Sequence, residues 1–296
     1  MKTTLSMKLL NTLQRGKDQL GEEAIHRISR FVESQRTEED SFKNKSGKED
    51  LYYTLFGWML SYILGIRLDQ KKMAVYLAQQ DTESMDLIHY AAYVRCRMIE
   101  GLIGKGKAGL WLQSLFTTEI KALNEFNDLP HNDLQSPYTQ FIWLSLLEDT
   151  GHRIKDKKNR MDSLAKYHLP EGGFMNTPDG LTATTNATVA ALAVKGQLSG
   201  YLRNEDIFYL RNLQETSGGF GAALASPVPD LLSTATSLFM LSCYDIRPKY
   251  VARYFIEAHW LDTGGFSATL LEDISDVEYT FYGVLALGAV SNEELK

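Results

Sequence analysis

Gly172-Gly173-Phe174, Gly218-Gly219-Phe220 and Gly264-Gly265-Phe266 repeat one tripeptide at intervals of 46 residues. Four further columns keep the same interval, namely Thr188, Thr234 and Thr280; Thr184, Asp230 and Asp276; Leu192, Leu238 and Val284; and Leu164, Leu210 and Ile256. A period of about 20–50 residues is typical of a supersecondary unit that buries its apolar face by stacking on its neighbours. The sequence therefore predicts a repeat protein.

The unit around Phe220 predicts two helices joined by a corner. Apolar residues at helical spacing between Leu202 and Leu213 indicate an outer helix, which the two glycines end. Asp230 is a typical N-cap, and the run from Leu231 to Leu241 is apolar nearly all round. A helix without a polar face is enclosed by other helices. We therefore expect an inner helix after each corner.

Three weaker units precede the clear ones. In the first, Ser41-Phe42 replaces the tripeptide and Asp50 precedes an inner helix over residues 51–64. The second has an outer helix near residues 70–79 and an inner helix that opens at Asp86, and the third has an outer helix near residues 111–126 and an inner helix over residues 138–147, preceded by Asp133. A charged connector, residues 155–160, leads to the fourth unit.

Six hairpins of about 46 residues predict an all-α fold, an (α/α)6 toroid. We expect one toroid domain over residues 21–296 after a helical N-terminal extension of residues 1–20, with C-terminal repeats at about 161–206, 207–252 and 253–296. No β pattern is visible. An open solenoid of the HEAT type is the structural alternative, since it has a similar period.

Composition excludes several classes of function. The chain has 296 residues and a net charge of -6, which argues against a nucleic-acid surface. No stretch is long and apolar enough to span a membrane, and the first 15 residues lack the apolar run of a signal peptide. Cys96 and Cys243 lie in apolar helical runs without partners, so we expect reduced thiols and a cytoplasmic protein.

The pattern Gln214-x-x-x-Gly218-x-Phe220, followed by a helix that opens with Asp, resembles the repeat of protein prenyltransferase β subunits and terpenoid cyclases. The resemblance implies an α/α barrel whose aromatic-lined central pocket holds an isoprenoid, with the site at the N-terminal end of the inner helices. It also implies transferase or cyclase activity on isoprenoid-like substrates.

The catalytic residues of that family are only partly present. The resemblance implies a zinc ion held by an Asp, a Cys two residues later and a His in the next unit. Asp230 matches the Asp, but Leu232 replaces the Cys and Tyr279 replaces the His. Because leucine cannot coordinate zinc, we expect no zinc cofactor. The basic residues that would bind a diphosphate are replaced by Leu224 and Pro227.

The sequence leaves open whether the protein binds Mg²⁺. Glu272, Asp273 and Asp276 resemble the acidic motif with which class I terpene synthases bind Mg²⁺-diphosphate. The motif Asp-x-Asp-Asp, which supplies the protonating acid in the cyclase branch, is absent from the sequence.

Carboxylates at the starts of the inner helices form the candidate site. In a closed toroid they converge at one end, and the set is Asp50, Asp86, Asp133, Asp230 and Asp276. They are either simple N-caps or a site for a cation or for general acid–base chemistry. The candidate catalytic residues are Asp230, Asp276, His89 and Tyr279. The candidate substrate-pocket residues are Asp50, Tyr53, Asp86, Tyr90, Trp143, Thr234 and Tyr282.

Two further patterns bear on the pocket. Small residues on the inner helices, such as Ala190, Ala235 and Gly283, predict space on the axis. The loop from Lys43 to Lys48 is basic and would add positive charge to the site if it folded over this end of the ring.

Three functions fit these patterns. The first is a prenyltransferase-like or cyclase-like protein with an apolar pocket for an isoprenoid or similar lipid, acting without zinc. The second is a non-catalytic lipid-binding protein, and the third is a protein-interaction scaffold whose axis is filled by side chains. A hydrophobic small molecule is the expected partner, and a protein partner is left open.

Overall fold

The computed structural model describes residues 4–105 and 136–290. The described residues form helices α1 (Leu5–Asp18), α2 (Glu22–Ser34), α3 (Leu51–Leu64), α4 (Gln70–Ala78), α5 (Leu87–Lys105), α6 (Pro137–Asp149), α7 (Lys157–Ala165), α8 (Thr185–Leu198), α9 (Asn204–Asn212), α10 (Leu231–Ser242), α11 (Arg253–Ala258) and α12 (Val277–Ala289). The outer helix expected near residues 111–126 and the Asp133 cap lie outside the described residues.

The inner helices form a closed ring. Helices α3, α5, α6, α8, α10 and α12 each pack against the next, and α12 packs against α3. The described outer helices α2, α4, α7, α9 and α11 each lie against at least one of them. Because the first and last inner helices are in contact, the open solenoid is excluded, and the predicted all-α toroid is confirmed.

The repeated tripeptide forms a buried corner between outer and inner helix. Phe220 is fully buried, and its backbone N–H donates to Thr234 Oγ1 at 2.9 Å. Phe174 and Phe266 make the same bond to Thr188 and Thr280. The threonine column of the repeat is therefore a structural device that fixes each corner to the first turn of its inner helix.

Glycine is required in this corner by both conformation and space. Gly218 has a φ of +95°, which L side chains rarely adopt, and a Cβ there would lie 2.2 Å from the carbonyl oxygen of Val251. A Cβ at Gly283 would lie 2.5 Å from the ring of Phe266. The small residue at this position of α12 thus makes room for the corner phenylalanine rather than for a ligand.

Short strand pairs follow two of the corners, although no β pattern was visible in the sequence. Strand β1 (Phe220–Gly221) pairs antiparallel with β2 (Pro229–Asp230), and β3 (Phe266–Ser267) pairs with β4 (Ser275–Asp276). These pairs bring the corner phenylalanine opposite the capping aspartate. The segment over residues 155–160, which we expected to be a charged connector, is mostly helical. Helix α7 begins at Lys157 and includes most of it.

Helix α1 lies across the C-terminal ends of the inner helices. Its Ser6 Oγ donates to Asp149 Oδ2 at the end of α6, and Arg15 Nε donates to the carbonyl oxygen of Gly288 at the end of α12. A Cβ on Gly288 would lie 1.8 Å from the carbonyl oxygen of Thr12, so the two helices touch backbone to backbone. The segment expected as an extension therefore covers one end of the ring.

Within the described residues, no helix is long and apolar enough to cross a membrane. Cys96 and Cys243 are free thiols, and burial raises the pKa of both.

Candidate functional site

A cavity of about 270 Å³ lies on the axis of the ring. All six inner helices contribute to its wall, and Leu5, Ser6 and Leu9 of α1 contribute at the C-terminal end of the ring. Its aromatic lining residues are Tyr52, Phe56, Tyr138, Phe141, Phe239, Phe281 and Tyr282. The volume is just below the range of about 300–1,000 Å³ that is common for ligand pockets. The cavity is therefore small for a long-chain lipid.

The end of the ring at which the inner helices begin carries a tyrosine–glutamate cluster. Tyr52 donates its hydroxyl proton to Glu278 Oε1 at 3.0 Å, and Tyr53 also hydrogen-bonds to Glu278. Burial and the nearby charge of Asp276 raise the pKa of Glu278. The hydrogen bonds from the tyrosines act to lower it, but the pKa stays above its ordinary value. Glu278 is thus a carboxyl group that takes up a proton more readily than an exposed one.

The phenols of this cluster stay protonated over the physiological range. Burial, followed by the charge of Glu278 and neighbouring phenols, raises the pKa of Tyr52 and Tyr282 far above the ordinary value. Both side chains line the cavity. They present neutral O–H groups at the N-terminal end of a mainly apolar cavity.

Lys45 brings positive charge to this end of the ring. Its Nζ lies 3.7 Å from Asp276 Oδ2 and 4.7 Å from the centre of the Tyr279 ring. Burial raises the pKa of Asp276, while Lys45 and the backbone N–H groups of α12 act to lower it. The basic loop therefore does fold over the N-terminal end, but its lysine is already paired with a carboxylate.

The predicted aspartates act as N-caps of the inner helices. Their carboxylates accept from backbone N–H groups as follows: Asp50 from Tyr52 at 2.9 Å, Asp86 from His89 at 2.9 Å, Asp230 from Ser233 at 2.8 Å and Asp276 from Tyr279 at 2.8 Å. Each bond satisfies an N–H that has no partner within its helix. None of the four lines the cavity.

Other predicted site residues are spread over different environments. His89 is half exposed, with Nδ1 2.9 Å from Asp86 Oδ1. Partial burial acts to raise the pKa of Asp86, but its hydrogen bonds from His89 lower it. Tyr90 and Trp143 are buried in a hydrophobic cluster between helices. Neither they nor His89 lines the cavity.

Tyr282 is the member of the predicted pocket set that lines the cavity. Thr234 is fully buried in the corner bond to Phe220, and Tyr53 lies beside Glu278 outside the lining. Tyr279 lies under Lys45 rather than on the wall. Most of the cavity wall is instead formed by residues outside that predicted set, including Leu232, Arg95 and Ser145.

Sequence reasoning also missed Glu278, although a signal was present. Glu278 is the one charged side chain of α12, whose other residues are apolar, small or aromatic. A lone carboxylate in an enclosed helix is costly unless it has partners or a function. That criterion would have placed Glu278 beside Asp276 in the candidate list.

Comparison with known families agrees with this architecture. A family model described as the prenyltransferase alpha-alpha toroid domain matches residues 1–109 and 115–295. The chain belongs to the prenyltransferase alpha-alpha toroid family. No curated protein matches the chain at a significant level.

Within the prenyltransferase toroid family, this chain has a donor set that does not fit the zinc ion implied by the sequence resemblance. Leu232 lies on the cavity wall and has no lone pair to offer. The ring of Tyr279 faces the cation of Lys45, and Asp230 is used as an N-cap. Over the described residues, no group of three or more His, Cys, Asp and Glu side chains converges.

The toroid also lacks the basic residues for a diphosphate at the positions that the resemblance implies. Leu224 and Pro227 are both exposed on the loop between β1 and β2. Glu272 and Asp273, the first residues of the acidic motif, are exposed as well, whereas Asp276 is buried. The described residues thus place the three carboxylates of that motif in different environments.

Proposed function

We propose that this cytoplasmic toroid binds a compact, isoprenoid-like hydrophobic molecule in its axial cavity without a zinc ion. The observation that carries the proposal is the cavity of about 270 Å³ with aromatic walls on the axis of the ring. Protein interiors are otherwise packed about as densely as organic crystals, so an apolar space of this size forgoes many contacts. A bound hydrocarbon would regain them.

The cavity favours ligand binding over the scaffold alternative. A pure scaffold gains most when side chains fill the axis, because an unfilled cavity destabilises the fold roughly in proportion to its volume. Ala190 and Leu232 are positioned on the wall where larger side chains would fill the space. Their small or medium size supports selection for an occupant.

Two substitutions at one wall position test the proposal. Leu232→Phe should fill part of the cavity and weaken binding of geraniol and farnesol, as measured by calorimetry. Leu232→Ala should enlarge the cavity and shift preference towards the longer farnesol. Binding that is absent in the wild type, or equal in both variants, would overturn the proposal. The thermal melting of each variant provides the control for folding.

A catalytic role is the second candidate, and the Glu278–Tyr52 pair favours it. A protonated Glu278 can pass its proton to the Tyr52 oxygen while Tyr52 gives its own to an alkene or epoxide in the cavity. The resulting cation would be stabilised by the aromatic walls. It would then lose a proton to the Tyr52 oxygen while Tyr52 returns its own proton to the Glu278 carboxylate, which completes an isomerisation or cyclisation. The sequence of steps needs no co-reactant.

Product analysis tests this second candidate. Incubation with farnesol and with its terminal epoxide, followed by gas chromatography and mass spectrometry, should show isomeric products of unchanged mass. Glu278→Gln and Tyr52→Phe should each abolish them while leaving ligand binding intact. Binding without turnover in the wild type would leave the non-catalytic binding protein as the function.

A further inference from the structure

The cavity has a second polar end, opposite the tyrosine–glutamate cluster. Arg95 of α5 lines the cavity together with Ser145 of α6 and Ser6 of α1. Arg95 Nε donates to Asp149 Oδ2 at 3.2 Å, and Arg95 Nη2 donates to Ser145 Oγ at 2.9 Å. Ser6 Oγ donates to the same Asp149 oxygen at 2.7 Å. Ser145 and Asp149, the latter also bound by Ser6, thus hold the Arg95 guanidinium at the end that α1 covers.

The guanidinium of Arg95 has more N–H donors than it uses in hydrogen bonds to the described residues. Arginine carries five N–H groups in a rigid fork, and the described residues accept from Nε and from one N–H of Nη2. The Arg95 side chain is 14 % exposed, and Arg95 lies on the wall of a mainly apolar cavity. A donor that faces a mainly apolar cavity gains by meeting an acceptor, so an oxygen atom in the cavity at this point would be favourable.

The charge balance selects a neutral oxygen. The Asp149 side chain is fully buried and pairs with Arg95, so the two charges cancel. An anionic head group would leave one uncompensated negative charge in an apolar cavity. A hydroxyl or carbonyl oxygen accepts the hydrogen bond without adding charge.

We propose that the ligand of the axial cavity carries one neutral oxygen, an alcohol or a carbonyl, that accepts a hydrogen bond from Arg95. This inference rests on the proposed binding function and gives the ligand an orientation. The oxygen points towards α1 at the C-terminal end of the ring, and the hydrocarbon part extends towards Tyr52 and Tyr282. Arg95 is then a specificity-determining residue.

A matched set of probes tests the role of the oxygen. Geraniol, the hydrocarbon 2,6-dimethyl-2,6-octadiene and geranic acid share one skeleton and differ at the terminal carbon. The double variant Arg95→Met/Asp149→Leu removes both charges together, so neither is left unpaired. We expect it to bind geraniol about tenfold to a hundredfold more weakly and the hydrocarbon with little change, because one charge-assisted hydrogen bond is lost.

Arg95→Lys serves as the second variant, since it keeps the charge beside Asp149 and so preserves the ion pair. Lysine lacks the planar fork, so geraniol should still bind more weakly than to the wild type. Geranic acid should bind the wild type less tightly than geraniol. Equal loss of geraniol and hydrocarbon, unchanged geraniol affinity in both variants, or tighter binding of the acid would each overturn the inference. If no probe binds the wild type at all, the proposed function fails and this inference fails with it.

Discussion

Each threonine of the repeated column accepts a buried hydrogen bond from the N–H of its corner phenylalanine. Thr234 donates to the carbonyl oxygen of Asp230 at 2.7 Å and accepts from the Phe220 N–H at 2.9 Å. A single hydroxyl thus satisfies a backbone donor that the corner would leave without a partner. The residue was predicted for the substrate pocket, and the structure gives it a corner bond instead.

Thr234→Val should destabilise the fold by about 1–3 kcal/mol, because the buried Phe220 N–H would lose its acceptor without any change in side-chain shape. Urea unfolding followed by circular dichroism measures this. Thr236→Val is the matched control, since Thr236 on the same helix donates to the helix carbonyl of Leu232. The control should change stability by a few tenths of a kcal/mol. Equal effects would contradict the role of the corner bond.

Glu278 makes the stability of the wild type depend on pH. Its pKa is raised in the folded chain, so above about pH 4.3 the folded state holds more protons than the unfolded state. The free energy of unfolding therefore falls as the pH rises from there through the folded-state pKa, and is constant beyond it.

Glu278→Gln should abolish this contribution. The stability of the wild type relative to the variant should decline with rising pH across that window, measured by urea unfolding at several pH values from about 4 to 7. Asp276 and Lys45 are present in both chains, so their titration largely cancels in the difference. A difference that grows with pH would mean that Glu278 is stabilised as the carboxylate.

Some residue-level features could be predicted from the sequence and others could not. The repeat columns that contain Phe220 and Thr234 were visible in the sequence, but the hydrogen bond between the two residues was not predicted. The capping aspartates followed from residue type alone. The wall of the cavity did not, because in a helix that is apolar all round the rotation that decides which residue faces the axis is set by packing.

At the scale of elements, the close contact between α1 and α12 is the most sensitive to change. Gly288→Ala would place a Cβ 1.8 Å from the carbonyl oxygen of Thr12, which is backbone and cannot rotate away. We expect a loss of about 1–3 kcal/mol or more, and weaker ligand binding because Leu5 and Leu9 would move from the cavity wall. Thermal unfolding and calorimetry with geraniol measure the two effects.

Gly21→Ser is the matched control for this prediction. Gly21 is the N-cap of α2, and a Cβ there meets nothing within 4 Å. Serine is a good N-cap, so the control should leave stability unchanged or slightly increased. A Gly288→Ala chain as stable as the control would show that α1 can shift without cost.

Helix limits were predictable where residue types punctuate the chain. Asp50 and Gly65 bound α3, and the predicted range of residues 51–64 is the observed one. The prediction for the start of α7 was wrong because the run of charged residues after Lys155 was interpreted as a solvated linker. Lys and Arg are good helix formers, and an exposed outer helix needs few apolar residues.

For the whole molecule, we predict that the purified protein holds far less than one zinc per chain. Leu232 and Tyr279 stand at two of the three positions that a ligand set would need. Elemental analysis after expression in zinc-supplemented medium measures the content, and prolonged treatment with a chelator should leave the melting temperature unchanged. A full equivalent of zinc, or unfolding on chelation, would contradict the prediction.

The repeat alone could not decide between a closed ring and an open solenoid. The period of 46 residues fits both a toroid and a solenoid. Contacts between the ends of the chain decide it, such as the Tyr52–Glu278 bond over 226 residues and the stacking of Arg27 on Trp260. These contacts join residues that no local pattern relates.

The position of α1 has a consequence for the order in which the protein can assemble during synthesis. The helix is translated before the other described helices, yet Arg15 bonds to Gly288, which lies 273 residues later in the chain. At about 5–20 residues per second, the ribosome needs on the order of tens of seconds to supply that partner. Until then the apolar side of α1 and the C-terminal end of the forming ring are both uncovered. A hydrophobic molecule present in that interval would meet an open barrel, whereas the finished protein presents α1 in its path.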